Sequence, residues 1–136
     1  VTLCDAGPLF ALIDPRQIKA HARCKATLGV LPAPLITTWP SFTEAMFLTF
    51  RSGGWPMQDL LWRYVHQGAL ILHGSGQAEV ERMKNLMERY RDTPMDLADA
   101  SLVAAAEALG LSRVFSLDHH FRIYRIHGDQ AFDVVP

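Results

Sequence analysis

Little in this sequence points to an oxidising compartment or a membrane. Only two cysteines occur, Cys4 and Cys24, and neither has a CxxC or Cys/His spacing that would suggest zinc, so reduced, structural cysteines are expected. No apolar run approaches the ~18 residues needed to span a bilayer, and the first residues lack the basic, apolar and small-residue regions of a signal peptide. A cytoplasmic location away from membranes is the expectation. Internal repeats, low-complexity tracts and linkers are missing too. So is any excess of positive charge: 13 Lys and Arg stand against 14 Asp and Glu, a net charge of -1. The whole-protein basic footprint of a nucleic-acid binder is therefore absent, and such a partner would have to be met by bound metal or local cations. Two basic stretches qualify, Arg16, Lys19, Arg23 and Lys25, and Arg82, Lys84, Arg89 and Arg91. A solvated helix face is the simpler reading of both.

What is present fits one compact domain over residues 1–136, long enough to bury a sizeable core. Val1 to Asp5 reads as a strand, Asp5 to Pro8 as a turn, Pro8 to Ile13 as an apolar helical turn and Pro15 to Gly29 as a helix. A second strand, Pro34 to Thr38, is broken by Trp39-Pro40-Ser41 before a helix ending at Ser52-Gly53-Gly54, and Pro56 opens another through Gln67. Ala69 to Leu72 is a third strand, and Gln77 to Arg91 a helix with apolar residues at helical spacing. Asp96 to Leu109 is the clearest helix, closed by Gly110 where a left-handed residue is favoured. Arg113 to Leu117 and Phe132 to Val135 complete four to five short strands. Strands separated by helices predict an α/β fold with a mostly parallel sheet covered on both faces, and ligands in such sheets bind outside the carboxyl ends of the strands.

That rule selects acidic residues. Asp5 ends the first strand and Asp118 follows the fourth; each would equally serve as the cap of a helical turn. Glu44 completes Ser41-Phe42-Thr43-Glu44, which by spacing alone is a capping box. Asp96 and Asp99, three apart, share one side of the first turn of the long helix, where Asp96 suits the N-cap and the helix dipole favours negative charge. That helix is apolar nearly all round, so it is expected to be buried, and its acidic tip needs a charge partner. Carboxylates converging there would repel one another unless a cation neutralised them, and an all-oxygen set selects Mg²⁺ or Mn²⁺. His119 and His120 are adjacent, and neighbours in a regular element point apart, so joint ligation of one ion by both is not expected.

The segments LCDAGPLFALID, SFTEAMF, MDLADASLVAAAEALG and VFSLDHHFRIYR, in that order, resemble the PIN-domain family, in particular VapC-type toxins of toxin–antitoxin pairs. The resemblance runs from the first strand to the last, and DLADASLVAAAEALG followed by a strand and Asp118 is its most specific part. It implies a PIN-like three-layer fold and a metal-dependent endoribonuclease acting on structured RNA such as tRNA or rRNA. Asp5, Glu44, Asp99 and Asp118 match the family's catalytic metal site, with Asp96 an additional carboxylate and one or two ions bound. A VapB-like antitoxin and a homodimer are the implied protein partners. Many members carry a hydroxyl residue after the first Asp. Here that position is Ala6, which leaves Ser116 or Thr38 to supply the contact.

Two rivals bear comparison. A receiver-like phosphoacceptor domain also has an acidic pocket at strand ends, but it uses a late lysine, and the last one here is Lys84. A PIN fold that binds RNA or protein without cutting would be expected to have lost carboxylates, and none is lost. Large apolar residues crowd the two central helices: Phe42, Met46, Phe47, Phe50, Trp55, Leu60, Leu61, Trp62 and Tyr64. Core packing is the preferred reading; any left exposed would suit a dimer interface or an antitoxin helix.

Overall fold

The computed structural model describes residues 1–136. β1 (Thr2–Cys4) runs into α1 (Ala6–Ile13), followed by α2 (Ile18–Leu28), β2 (Leu35–Thr38), α3 (Trp39–Gly53), α4 (Trp55–His66), β3 (Leu70–His73), α5 (Gln77–Arg89), α6 (Leu97–Leu109) and β4 (Arg113–Phe115). A short 3₁₀ turn (His119–Arg122), the two-residue strands β5 (Arg125–Ile126) and β6 (Gln130–Ala131), and β7 (Asp133–Val135) complete the chain. No helix is long and apolar enough to cross a membrane.

Five strands form one sheet in the order β3-β2-β1-β4-β7, all neighbours parallel. The α/β expectation with a parallel sheet holds. β5 and β6, a small antiparallel pair, had no signal in the sequence, because two residues a side are too few to show a period. Alternation along the central strands sorts side chains between two cores. Leu3 and Val114 face α5 and α6 together with Phe121, Tyr124 and Phe132. Cys4 and Phe115 face the opposite way, among residues of α1 to α4 such as Leu9, Cys24, Phe42 and Leu61. Each large side chain so removed from water contributes about 1.5–3 kcal/mol. The alanines of α6 let it lie close to the sheet and to both neighbouring helices, since small side chains permit close backbone approach.

Three helix starts differ from the expected ones: α2 begins at Ile18 rather than Pro15, and the other two bear on the site. α1 begins at Ala6 rather than Pro8, with Asp5 as N-cap, so Gly7 and Pro8 lie in the first turn. α3 begins at Trp39, with Thr38 as N-cap and Pro40 inside the first turn. Proline is tolerated at both places because first-turn N–H groups have no intrahelical acceptor. The consequence for α3 is functional. Ser41 is not its cap, so the expected capping box does not form, and Glu44 sits almost two turns along the helix with its carboxylate unused by the backbone. α6 matches the expectation at both ends: Asp96 caps it, and Gly110 closes it at φ 67°.

Candidate active site at the carboxyl ends of the strands

The chain leaves β1 for β2 and β3 on one side of the sheet and later places β4 and β7 on the other. The crevice between the ends of β1 and β4 is thus the topological switch point, the position at which open parallel sheets bind ligands. Cys4 pairs with Phe115 in register, and the Asp5 N–H donates to the Phe115 carbonyl at 2.9 Å, so Asp5 and Ser116 emerge side by side.

A cleft of about 290 Å³ opens there, lined by Asp5, Gly7, Glu44, Leu48, Asp96, Asp99, Leu117 and Asp118. The structure brings all five sequence-selected carboxylates to one cavity, and no Lys, Arg or His shares its wall. A larger hollow of about 480 Å³ lies across Leu48, but its one carboxylate, Asp14, is already held by Arg16 and Ser52, which keep it down at about 2. It has no acid left to recruit a cation.

Four of the five carboxylates in the cleft, all but Glu44, are fixed from behind. Asp5 accepts the Ala6 N–H at 2.8 Å through Oδ1 and the Ser116 hydroxyl at 2.9 Å through Oδ2, so it is both helix cap and cleft residue. Ser116 Oγ also accepts the Asp118 N–H at 3.0 Å. One hydroxyl thereby sets two of the acids. Of the two residues expected to compensate for Ala6, Ser116 therefore reaches the acidic group, while Thr38 is committed to Ser41 and Ser101. Asp96 caps α6 by accepting the Asp99 N–H at 2.8 Å. Asp118 accepts the His120 N–H at 2.9 Å, the capping role also read from the sequence. Asp99, 6% exposed, accepts the Tyr124 hydroxyl at 2.9 Å. Every one of these carboxylates retains free lone pairs, because each oxygen can accept more than one bond.

The electrostatic cost of the cluster is visible in its ionisation. Burial, then the Asp96 charge, pushes Asp99 up to about 7 despite the Tyr124 hydrogen bond. Burial raises Asp5 as well, outweighing its bonds from Ser116 and Ala6, with Asp118 and Asp96 adding to the rise. Glu44, at the exposed rim, is raised by partial burial and by the charges of Asp5, Asp96 and Asp118. Three acids are thus held above their ordinary range with no internal cation to relieve them. Hard, oxygen-preferring divalent ions fit this donor set.

Tyr124 escaped the sequence reading. It lies 25 residues from Asp99, in a segment with no regular period, so only the tertiary fold reveals the contact. The histidines depart from their expected divergence: in the 3₁₀ turn their ring centroids are 4.3 Å apart, and each Nδ1 lies near Asp118 Oδ1, at 3.8 Å for His119 and 3.2 Å for His120. A three-residue period does not send neighbours to opposite sides as a strand does. Among the central-helix apolar residues, Phe42 and Leu61 are core, whereas Phe47, Phe50 and Trp55 are each about 60% exposed. Of the two basic stretches, Arg16 and Arg82 pair with Asp14 and Glu107, and Arg89 and Arg91 donate to backbone carbonyls.

Comparison with known proteins places this geometry. A family model described as PIN domain matches residues 2–126. The chain is 25% identical over 135 residues to ribonuclease VapC26 of Mycobacterium tuberculosis, covering 98% of this chain and 99% of that one. Its fold is similar to that of Mycobacterium tuberculosis VapC20, described as a sarcin-ricin loop cleaving toxin, with a TM-score of 0.80 and 15% identity over 88% of this chain and 91% of that one. A toxin–antitoxin complex from Klebsiella pneumoniae aligns with a TM-score of 0.65 and 19% identity, covering 87% of each chain.

Proposed function

Because the chain belongs to the PIN-domain family, we propose that it is a divalent-metal-dependent endoribonuclease, the toxin of a VapBC-type pair. One observation carries the reading: five carboxylates line one cleft at the switch point of the sheet, without a cation of the protein's own. Asp5, Glu44, Asp99 and Asp118 are the proposed catalytic and metal-holding set, and Asp96 a further acid at its edge. When bound, Mg²⁺ or Mn²⁺ would activate water and offset charge on a phosphodiester. The chain's own part is orientation. Ser116 fixes Asp5 and Asp118 relative to each other, and Tyr124 holds Asp99 by a bond that favours its charged, ligating form.

The proposed substrate is structured RNA of the tRNA or rRNA type, cut to a 5′-phosphate and a 3′-hydroxyl. A cytoplasmic site of action, a VapB-like antitoxin and a homodimer belong to the same proposal; the exposed Phe47, Phe50 and Trp55 on α3 and α4 support the two protein partners. A receiver-like role has no support from the cleft, which lacks any lysine.

The test is cleavage of a mixed structured-RNA pool with Mg²⁺ or Mn²⁺, with EDTA, and with Asp99→Asn. Metal-dependent cutting by wild type that the folded variant loses is the expected result. Equal background from both, with no divalent ion bound in calorimetry, would replace the nuclease by a binding module.

A further inference from the structure

A polyanion approaching five carboxylates needs cations beside them, and the net charge of -1 says these must be local. Nearly every arginine is already occupied. Arg16, Arg63, Arg82 and Arg113 pair with Asp14, Asp59, Glu107 and Asp133. Arg89, Arg91 and Arg125 donate to backbone carbonyls, and Arg51 lies over the Phe47 ring. Arg23 and Arg122 alone have no hydrogen-bond, ion-pair or ring partner, and both line one pocket of about 110 Å³.

That pocket joins α2 to the 3₁₀ turn. Its wall includes His119 and Ser116, and it shares Leu117 and Asp118 with the acidic cleft, so the two cavities adjoin at that residue pair. It offers no Phe, Tyr or Trp face for a base to stack on. Two unengaged guanidiniums in a small polar hollow match a phosphate group, which arginine recognises through paired N–H donors.

We propose that this pocket binds the RNA phosphate adjoining the scissile one, with Arg23 and Arg122 as the positioning residues that lay the strand across the carboxylates. The inference rests on the nuclease reading above for its substrate. The arginines reach it from two separate elements, so the strand's direction is set by α2 on one side and by the turn after Asp118 on the other.

The experiment is fluorescence anisotropy with a labelled RNA hairpin, titrated over a range of salt in EDTA so that metal-dependent cutting does not consume it. Arg23→Glu/Arg122→Glu is expected to weaken binding at least tenfold and to lower the slope of log K against log salt by about one, the loss of one phosphate contact. Arg23→Lys/Arg122→Lys should restore most of the slope. A matched double reversal on another surface, Lys84→Glu/Arg91→Glu, should leave it unchanged. An unchanged slope in the Arg23/Arg122 reversal overturns the pocket, as does failure of wild type to bind the oligonucleotide. Inorganic phosphate shifting the Arg23 and Arg122 NMR signals while the oligonucleotide slope stays put would make this a free-phosphate site and equally overturn the proposal. Wild-type cleavage of unmodified RNA is scored separately: cleavage with an unchanged slope removes the pocket and keeps the nuclease, whereas a fallen slope without cleavage does the reverse.

Discussion

Asp99→Asn should make the metal-free protein more stable at pH 7.5, although it removes the side chain expected to matter most for activity. Burial and the Asp96 charge hold Asp99 at about 7 in the folded chain, against about 3.9 in an unfolded one. Between those values the folded state binds the extra proton. Stability is therefore greatest below about pH 4, falls as pH rises through about 7, and then levels off. Three pH units correspond to a ceiling of about 4 kcal/mol. Asp99 faces an open cleft whose other acids readjust as it ionises, so a gain of about 1–2 kcal/mol is expected from the variant. Asparagine keeps a carbonyl for the Tyr124 hydroxyl and gives its amide protons carboxylate acceptors. The assay is thermal unfolding in EDTA across pH 4–8.5, with a rise in Tm of roughly 3–8 °C at pH 7.5 that shrinks to nothing near pH 4. Saturating Mg²⁺ should reverse the order, since an ion at 100 times its Kd stabilises wild type by about 2.7 kcal/mol and the variant far less. A variant less stable than wild type at pH 7.5 in EDTA, or a difference independent of pH, would refute the account of an electrostatically strained cluster.

Tyr124→Phe removes the donor that favours charged Asp99, so Mn²⁺ affinity measured by calorimetry should fall near pH 6.5 and recover towards pH 8.5, with a stability loss of about 1 kcal/mol. Gly110→Ala places a side chain at φ 67° and should cost about 1 kcal/mol in urea unfolding, with RNA cleavage unaffected. Asp14 is held at about 2 by Arg16 and Ser52, so its contribution is present above about pH 4 and disappears as pH falls through about 2. Acid titration should accordingly show Asp14→Asn to be less stable than wild type at pH 6 and equal to it near pH 2.

The parallel α/β architecture was legible because strands and helices alternate with clear periods, and α6 was read to within a residue because Asp96 and Gly110 mark its ends chemically. The acids were legible as a set because strand ends in a parallel sheet point to one edge. Local rules misled at α3, where Ser41 and Glu44 have the spacing of a capping box but Trp39 and Pro40 already belong to the helix. They also misled at His119 and His120, where a 3₁₀ turn replaced the assumed period.

Readable along the chain, therefore, was whatever depends on near neighbours: periodicity, caps, the left-handed glycine and the identity of the carboxylates. The tertiary structure alone decided which oxygens share a cleft, that Ser116 braces Asp5 across 111 residues and that Tyr124 braces Asp99 across 25. It also decided that Arg23 and Arg122 are left without partners in a pocket that Asp118 also lines. These contacts arise from packing between elements distant in the chain, and hydrogen-bond and charge energies depend on separation in space, to which residue spacing is blind.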